Sequence, residues 1–143
     1  EGHQESGDLV QDIRNLKQKV DAGVSQLITQ LFFDNQYFYR FRDRLDLAGI
    51  RVPVEAGIMP VVNKKQIERM VSLCGVKLPQ KFISMMERYG DNPAAMRDAG
   101  IAYAVDQIVD LAAHGVDGIH LYTMNNPYIA NKIHESVFRL MAS

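Results

Sequence analysis

The sequence predicts an α/β fold, and three observations carry that prediction. Short apolar runs recur at residues 27 to 33, about 52 to 60, and 118 to 123, the first without polar alternation, as in a strand covered on both faces. Longer intervening segments repeat apolar residues at helical spacing. Each strand is also entered the same way, from a helix closed by a small residue and a glycine: Asp21-Ala22-Gly23, Leu47-Ala48-Gly49 and Ala113-His114-Gly115. Strands alternating with helices pair in parallel through right-handed crossovers, because a tight hairpin cannot reach a parallel neighbour.

Taken in order, residues 8 to 22 place Leu9, Ile13, Leu16 and Val20 on one stripe of a helix, and glycine supplies its left-handed end. The first strand follows, and Asp34 or Asn35 can cap the next helix, whose stripe is Phe38, Phe41 and Leu45. The second strand holds Pro53 near its start and Gly57 within, which loosens its boundaries. Asn63 can cap a third helix through Leu73. Leu78-Pro79 opens a fourth to Tyr89, with proline at the permitted first turn. Asp91-Asn92-Pro93 repeats that signal before a long helix through Ala113, and Asn126-Pro127 leads from the third strand into a last helix from about Tyr128 to Leu140. Three strands with five or six helices make neither a closed eight-stranded barrel nor a five- or six-stranded doubly wound sheet.

Composition narrows the classes. The chain has 143 residues, 47% apolar, with 16 basic against 17 acidic side chains and a net charge of −1. That apolar content excludes a disordered chain, and no unbroken apolar run reaches membrane length, so no membrane partner is expected. Scattered basic residues give no nucleic-acid footprint. The single Cys74 excludes a disulfide framework and a CxxC motif, which suits a reducing, cytoplasmic setting; in its apolar context it is read as a buried, inert thiol. The start, Glu1-Gly2-His3, lacks both an initiating Met and a signal peptide, so the chain is expected to begin inside a longer protein.

In parallel α/β folds, function lies where the C-terminal strand ends and helix N-termini converge. That rule selects Thr29, Gln30 and Asp34, then Met59, Pro60, Asn63 and Gln66, then Tyr122, Thr123, Asn125 and Asn126. Amides and hydroxyls dominate, groups that orient a polar heterocycle but transfer protons poorly. No GxGxxG, GxxxxGK, GxSxG or HExxH is present, so no dinucleotide fingerprint, P-loop, nucleophile elbow or metal site is expected. Gln30 within an apolar strand needs partners, and a ligand could supply them. His120 is read as a satisfied strand histidine, Phe32, Phe33, Phe38 and Phe41 as core, and Arg40, Arg42 and Arg44 as a solvated surface.

The string Leu16-Lys17-Gln18-Lys19-Val20-Asp21-Ala22-Gly23, followed by Ile28-Thr29-Gln30-Leu31-Phe32-Phe33-Asp34, resembles the later half of the methylenetetrahydrofolate reductases. The similarity continues through Arg40-Phe41-Arg42-Asp43, Ala48-Gly49-Ile50, Gly57-Ile58-Met59-Pro60-Val61 and the run from Gly115 to Asn125. The resemblance implies that residues 1 to 143 are the C-terminal half of a TIM-type (β/α)8 barrel, with strands six to eight present and the N-terminal half absent. It implies a flavoprotein that reduces 5,10-methylenetetrahydrofolate to 5-methyltetrahydrofolate by hydride transfer from NAD(P)H through FAD, and an isolated fragment that is inactive.

Residue by residue, the resemblance places His3, Asp12, Asn15 and Lys19 at FAD contacts and Ile28 at a backbone contact to the cofactor. Gln30 falls on an amide contacting both the folate pterin and the nicotinamide, Gln66 on a second folate contact, and Asn126 where some relatives carry a substrate-binding Arg. Gln18 stands where relatives carry a basic residue, and Met70 where an aromatic stacks on ligand. The family's catalytic acid falls before residue 1, so no catalytic residue is assigned. Two other readings stand beside this one: a non-catalytic half-barrel module that forms a homo-oligomer or pairs through its open strand edges, and another flavin- or phosphate-binding barrel enzyme.

Overall fold

Each of the three apolar runs forms a strand, and helical repeats connect them, in a computed structural model that describes residues 22–23, 25–74, 78–123 and 126–141. The elements are β1 (Leu27–Leu31), α1 (Asn35–Leu47), β2 (Val54–Ile58), α2 (Lys64–Cys74), α3 (Gln80–Tyr89), α4 (Pro93–Ala113), β3 (Gly118–Leu121) and α5 (Pro127–Met141). The strands form one parallel sheet in the order β1-β2-β3. This is α/β architecture consistent with part of a parallel barrel. The helix expected over residues 8 to 22 lies outside the described residues, as do the side chains of Met70 and Cys74.

Local chemistry sets the boundaries. Asp34 Oδ1 accepts from the Gln36 amide at 2.9 Å, Asn63 Oδ1 from the Gln66 amide at 2.8 Å, and Asn92 Oδ1 from the Ala95 amide at 3.1 Å, each satisfying an orphan donor at a helix start. Gly49 and Gly115 end their helices at φ 76° and 73°, a conformation that strains any residue carrying a Cβ. Pro79 occupies the N-cap of α3 rather than its first turn, with no side-chain cap bond.

The main core lies between the sheet and the helices. Val54, Ala56 and Ile58 of β2 pack with Phe38 and Leu45 of α1, Ala104, Ile108 and Leu111 of α4, and Ile129 and Ile133 of α5. Ile119 and Leu121 of β3 join this layer. Register then fixes the opposite face: Ile28 is level with Glu55, Glu55 with Gly118, and Gly57 with His120, and alternate residues of a strand point to opposite sides.

The expectation that the first strand is covered on both faces is not met among the described residues. Ile28 is 45% exposed and Gln30 is exposed, while β3 is half-buried throughout. Among the described residues helices cover one face only. Arg42 is also less solvated than expected, because its guanidinium stands over the Phe38 and Tyr39 rings at 5.5 and 5.6 Å.

Candidate functional site at the strand ends

At the C-terminal end of β1 the ladder slips. Ile28 is level with Glu55 but Leu31 with Gly57, so three steps on β1 oppose two on β2, the signature of a bulge. Thr29, 6% exposed, fills the gap: its Oγ1 accepts from the Gly57 amide at 2.9 Å and donates to the Gln30 carbonyl at 2.9 Å. Gly57 must lack a side chain here. A Cβ would stand 2.7 Å from the Thr29 carbonyl, 3.0 Å from the Tyr122 ring and 3.2 Å from the Gln30 carbonyl.

The strand ends share a second apolar cluster. Phe33, Met59, Val61, Ile67, Phe82 and Met96 form it, with Leu31 and Tyr122 packed against it. Tyr122 is held by its amide, which donates to the Ile58 carbonyl at 2.8 Å, and its ring meets His120 edge-on with centroids 4.5 Å apart. Gln66, in the first turn of α2, turns its Oε1 onto the Val62 amide at 3.1 Å and approaches the Met59 sulfur with Nε2 at 3.9 Å. Asn126 caps α5, its Oδ1 accepting from Tyr128 and Ile129 amides at 3.1 and 3.3 Å.

One helix braces the first two strand ends. From α4, Tyr103 donates to the Phe33 carbonyl at 2.7 Å and Gln107 Nε2 to the Phe32 carbonyl at 3.1 Å. Asn35 answers by donating to the Gln107 carbonyl at 3.1 Å and to Asp110 Oδ2 at 2.8 Å, and Tyr39 donates to the same oxygen at 2.6 Å. Gly100 sets α4 against the loop after β2, since a Cβ would lie 1.7 Å from the Val61 carbonyl oxygen.

Burial pushes the Tyr103 phenol up to about 12, helped by the Asp34 and Asp106 charges. The Tyr39 hydrogen bond, then that of Asn35, holds the Asp110 carboxyl below its ordinary range. Burial and the Asp110 hydrogen bond raise the Tyr39 phenol.

The sequence-selected residues fare unequally. Gln30, near the C-terminal end of β1, and Gln66, after β2, lie at one end of the sheet, where Leu31, Met59 and Tyr122 share one apolar cluster. Asn126 lies at that end too, but its side-chain oxygen is committed to a helix cap. Ile28 stands on the face away from the helices. His3, Asp12, Asn15 and Lys19, with Gln18, lie outside the described residues. Sequence reasoning missed the roles of Gly57, Gly100, Tyr103 and Gln107; a glycine inside a strand was the available signal for the first. Among the described residues no group of three His, Cys, Asp or Glu side chains is placed to hold a metal. A hollow of about 740 Å³ between α3 and α4 is lined by Met85, Tyr89 and Ala99 and by none of these amides.

What can such an end do? Gly57 is buried beneath the half-buried Tyr122 ring, and the carboxamides of Gln30 and Gln66 at this end of the sheet carry donors and acceptors that can orient a polar group. A parallel strand–helix succession of this kind is consistent with a segment of an α/β domain of the barrel type. The chain belongs to the methylenetetrahydrofolate reductase family, whose model matches residues 1–137.

Its relatives agree. A 5,10-methylenetetrahydrofolate reductase of Pectobacterium carotovorum is 35% identical over 133 residues, 93% of this chain and 45% of that protein. The Escherichia coli protein of the same name is 38% identical over 125 residues, 87% of this chain and 42% of its own length. A methylenetetrahydrofolate reductase (NADH) of Arabidopsis thaliana is 39% identical over 114 residues, 80% of this chain and 19% of that protein. The chain therefore spans less than half the length of the curated relatives it matches.

Proposed function

We propose that the longer protein containing this chain reduces 5,10-methylenetetrahydrofolate to 5-methyltetrahydrofolate with NAD(P)H in the cytoplasm. The family match over residues 1–137 carries this reading, and the amides at adjacent strand ends support it. The described residues have no helix long and apolar enough to cross a membrane.

FAD, when bound, supplies the two-electron relay between nicotinamide and folate. The half-buried Tyr122 ring and the exposed Ile28 side chain, both on the face of the sheet away from the helices, offer apolar contacts to a fused heterocycle. His3, Asp12, Asn15 and Lys19 would hold the ribose and phosphates, Lys19 as a point charge and Asp12 and Asn15 through sugar hydroxyls.

The described residues bind and orient. The Gln30 carboxamide both donates and accepts, so it can pair with the pterin edge or with the nicotinamide carboxamide, each in its turn. Gln66 holds a second folate contact while its Oε1 stays on the Val62 amide. Asn126 keeps its Nδ2 donor beside the positive end of α5 and meets the acidic folate tail more weakly than an Arg would. The open edges of β1 and β3 take the remaining strands of a barrel, so the chain alone is inactive.

The test is to assay NAD(P)H-dependent methylenetetrahydrofolate reduction by this chain alone and joined to the part of the Pectobacterium protein that it does not match. Turnover only in the joined protein is expected. No turnover in a joined protein that folds and binds FAD overturns the reading.

A further inference from the structure

We infer that Thr29 is a positioning residue for Gln30, acting through the β1 bulge. This rests on the proposed role of Gln30 as a ligand contact. A strand in regular register would pair the Gly57 amide with a β1 carbonyl. Instead that amide donates to the Thr29 hydroxyl at 2.9 Å, and the hydroxyl donates to the Gln30 carbonyl at 2.9 Å. One oxygen thus replaces a ladder bond and ties down the peptide that carries Gln30.

Three further observations belong to the same device. Thr29 is 6% exposed, so water does not compete for its hydroxyl. The register slip lies between Ile28 and Leu31, the stretch holding Thr29 and Gln30. Gly57 gives the bulge its room, because a Cβ there would stand 2.7 Å from the Thr29 carbonyl and 3.2 Å from that of Gln30. Bulges beside active sites re-aim a side chain, and here the exposed side chain is a carboxamide that must fit a ring edge. Without the hydroxyl the Gly57 amide is left unpaired in a buried site, and the backbone recovers a partner only by sliding toward regular pairing, which rotates Gln30.

The test uses the full-length reductase with Thr29→Val, Thr29→Ser, Gln30→Leu and the Thr29→Val/Gln30→Leu double variant. Val keeps the volume and removes the hydroxyl; Ser keeps the hydroxyl. Thr29→Val is expected to raise the KM for the folate about tenfold, the equivalent of one bidentate amide contact at about 1.4 kcal/mol. Thr29→Ser should return it to within about twofold of the unsubstituted enzyme. The double variant should be no worse than Gln30→Leu alone, because a device acting through Gln30 has nothing left to position.

Hydrogen exchange at the Gly57 amide should quicken in Thr29→Val and not in Thr29→Ser. This reads the bulge without turnover. Additive losses in the double variant, a Ser variant that behaves as Val, or unchanged Gly57 exchange each overturn the inference. Absence of folate turnover in the unsubstituted full-length protein overturns the reading of Gln30, and this inference with it.

Discussion

On the helix side of the sheet Val54, Ala56 and Ile58 are at most 4% exposed, whereas Ile28 on the opposite side is 45% exposed, although all four sit on neighbouring strands of one sheet. The covered side is complete: three helices interdigitate with it, and α4 pins its strand ends through Gly100, Tyr103 and Gln107. The other side holds Glu55, Gly118, His120 and Tyr122, which are polar or small enough to stand half in water. The main core of the described residues thus lies on one face, and the Ile28 side chain proposed above as a cofactor contact lies on the other.

The largest effect should separate the faces. Phe32, 0% exposed and packed against Phe38 and Tyr37, should lose about 3–5 kcal/mol on Phe32→Ala. Ile28→Ala should lose only about 1 kcal/mol in this chain, because nearly half of its surface stays in water. Urea unfolding of the two variants measures both. In the joined full-length protein the Ile28→Ala loss should grow severalfold if a barrel closes over that face, and an unchanged loss would break the comparison.

Glycines sharpen it next. Ala normally favours a helix interior over Gly by about 1 kcal/mol, yet Gly100→Ala drives a Cβ to 1.7 Å from a carbonyl oxygen that cannot step aside. Net destabilisation of about 1–3 kcal/mol is expected. Gly118→Ala on the open face meets only the Glu55 side chain, at 3.2 Å, and that side chain swings away. Its loss should stay under about 0.5 kcal/mol. Equal losses would show that the open face is as tightly packed as the covered one.

The legibility of the sequence divides along the same line. Capping by Asp34, Asn63 and Asn92 and the positive-φ endings at Gly49 and Gly115 were readable, because each is a local rule of residue type and position. Parallel pairing followed from the alternation of elements. Burial of β1 on both faces did not follow, since an apolar run reports what a strand can bury and not what covers it. Gln30, Gln66 and Asn126 follow from strand-end topology and resemblance, and topology alone puts them at one end of the sheet. The bulge at Thr29 and the bracing by Gln107 depend on contacts across 28 and 75 positions. No local pattern encodes such distant pairings, although Gly57 inside a strand hinted at the first.

Tyr103 tests the brace itself. Tyr103→Phe removes the hydrogen bond to the Phe33 carbonyl and should cost about 1 kcal/mol at neutral pH. The phenol is raised from 10.0 to about 12 in the folded chain. A folded-state pKa above the unfolded one means stability that is fully present below about pH 10 and lost as pH rises toward about 12. The gap between native and Tyr103→Phe urea midpoints should therefore be constant at about pH 7–9 and shrink by about pH 11.5. A gap that persists at the alkaline end would place the stabilisation in ring packing, through Phe82, rather than in the hydroxyl.

The smallest effect should come from Asp110, at the far end of the same brace. Its carboxyl is held below the ordinary range first by the Tyr39 hydroxyl, then by the Asn35 amide and the nearby His114, against the opposing pull of burial. A depressed carboxylate stabilises the fold above its unfolded pKa, about 3.9, and that contribution fades as pH falls through the lower folded value. Asp110→Asn keeps an acceptor for Tyr39 but removes the charge, so its midpoint should fall below that of the native chain near neutrality and approach it as acid protonates the Asp110 carboxyl. The side chain is 47% exposed, so water and salt screen the term, and raising the ionic strength should narrow the gap. Because Asn35 hydrogen-bonds both Asp110 and Gln107, hydrogen exchange at the start of α1 should quicken in the same variant. If it quickens while exchange at Gly57 is unmoved, the brace and the bulge are separate devices: one holds the strand end against the helices, and the other aims the residue that leaves it.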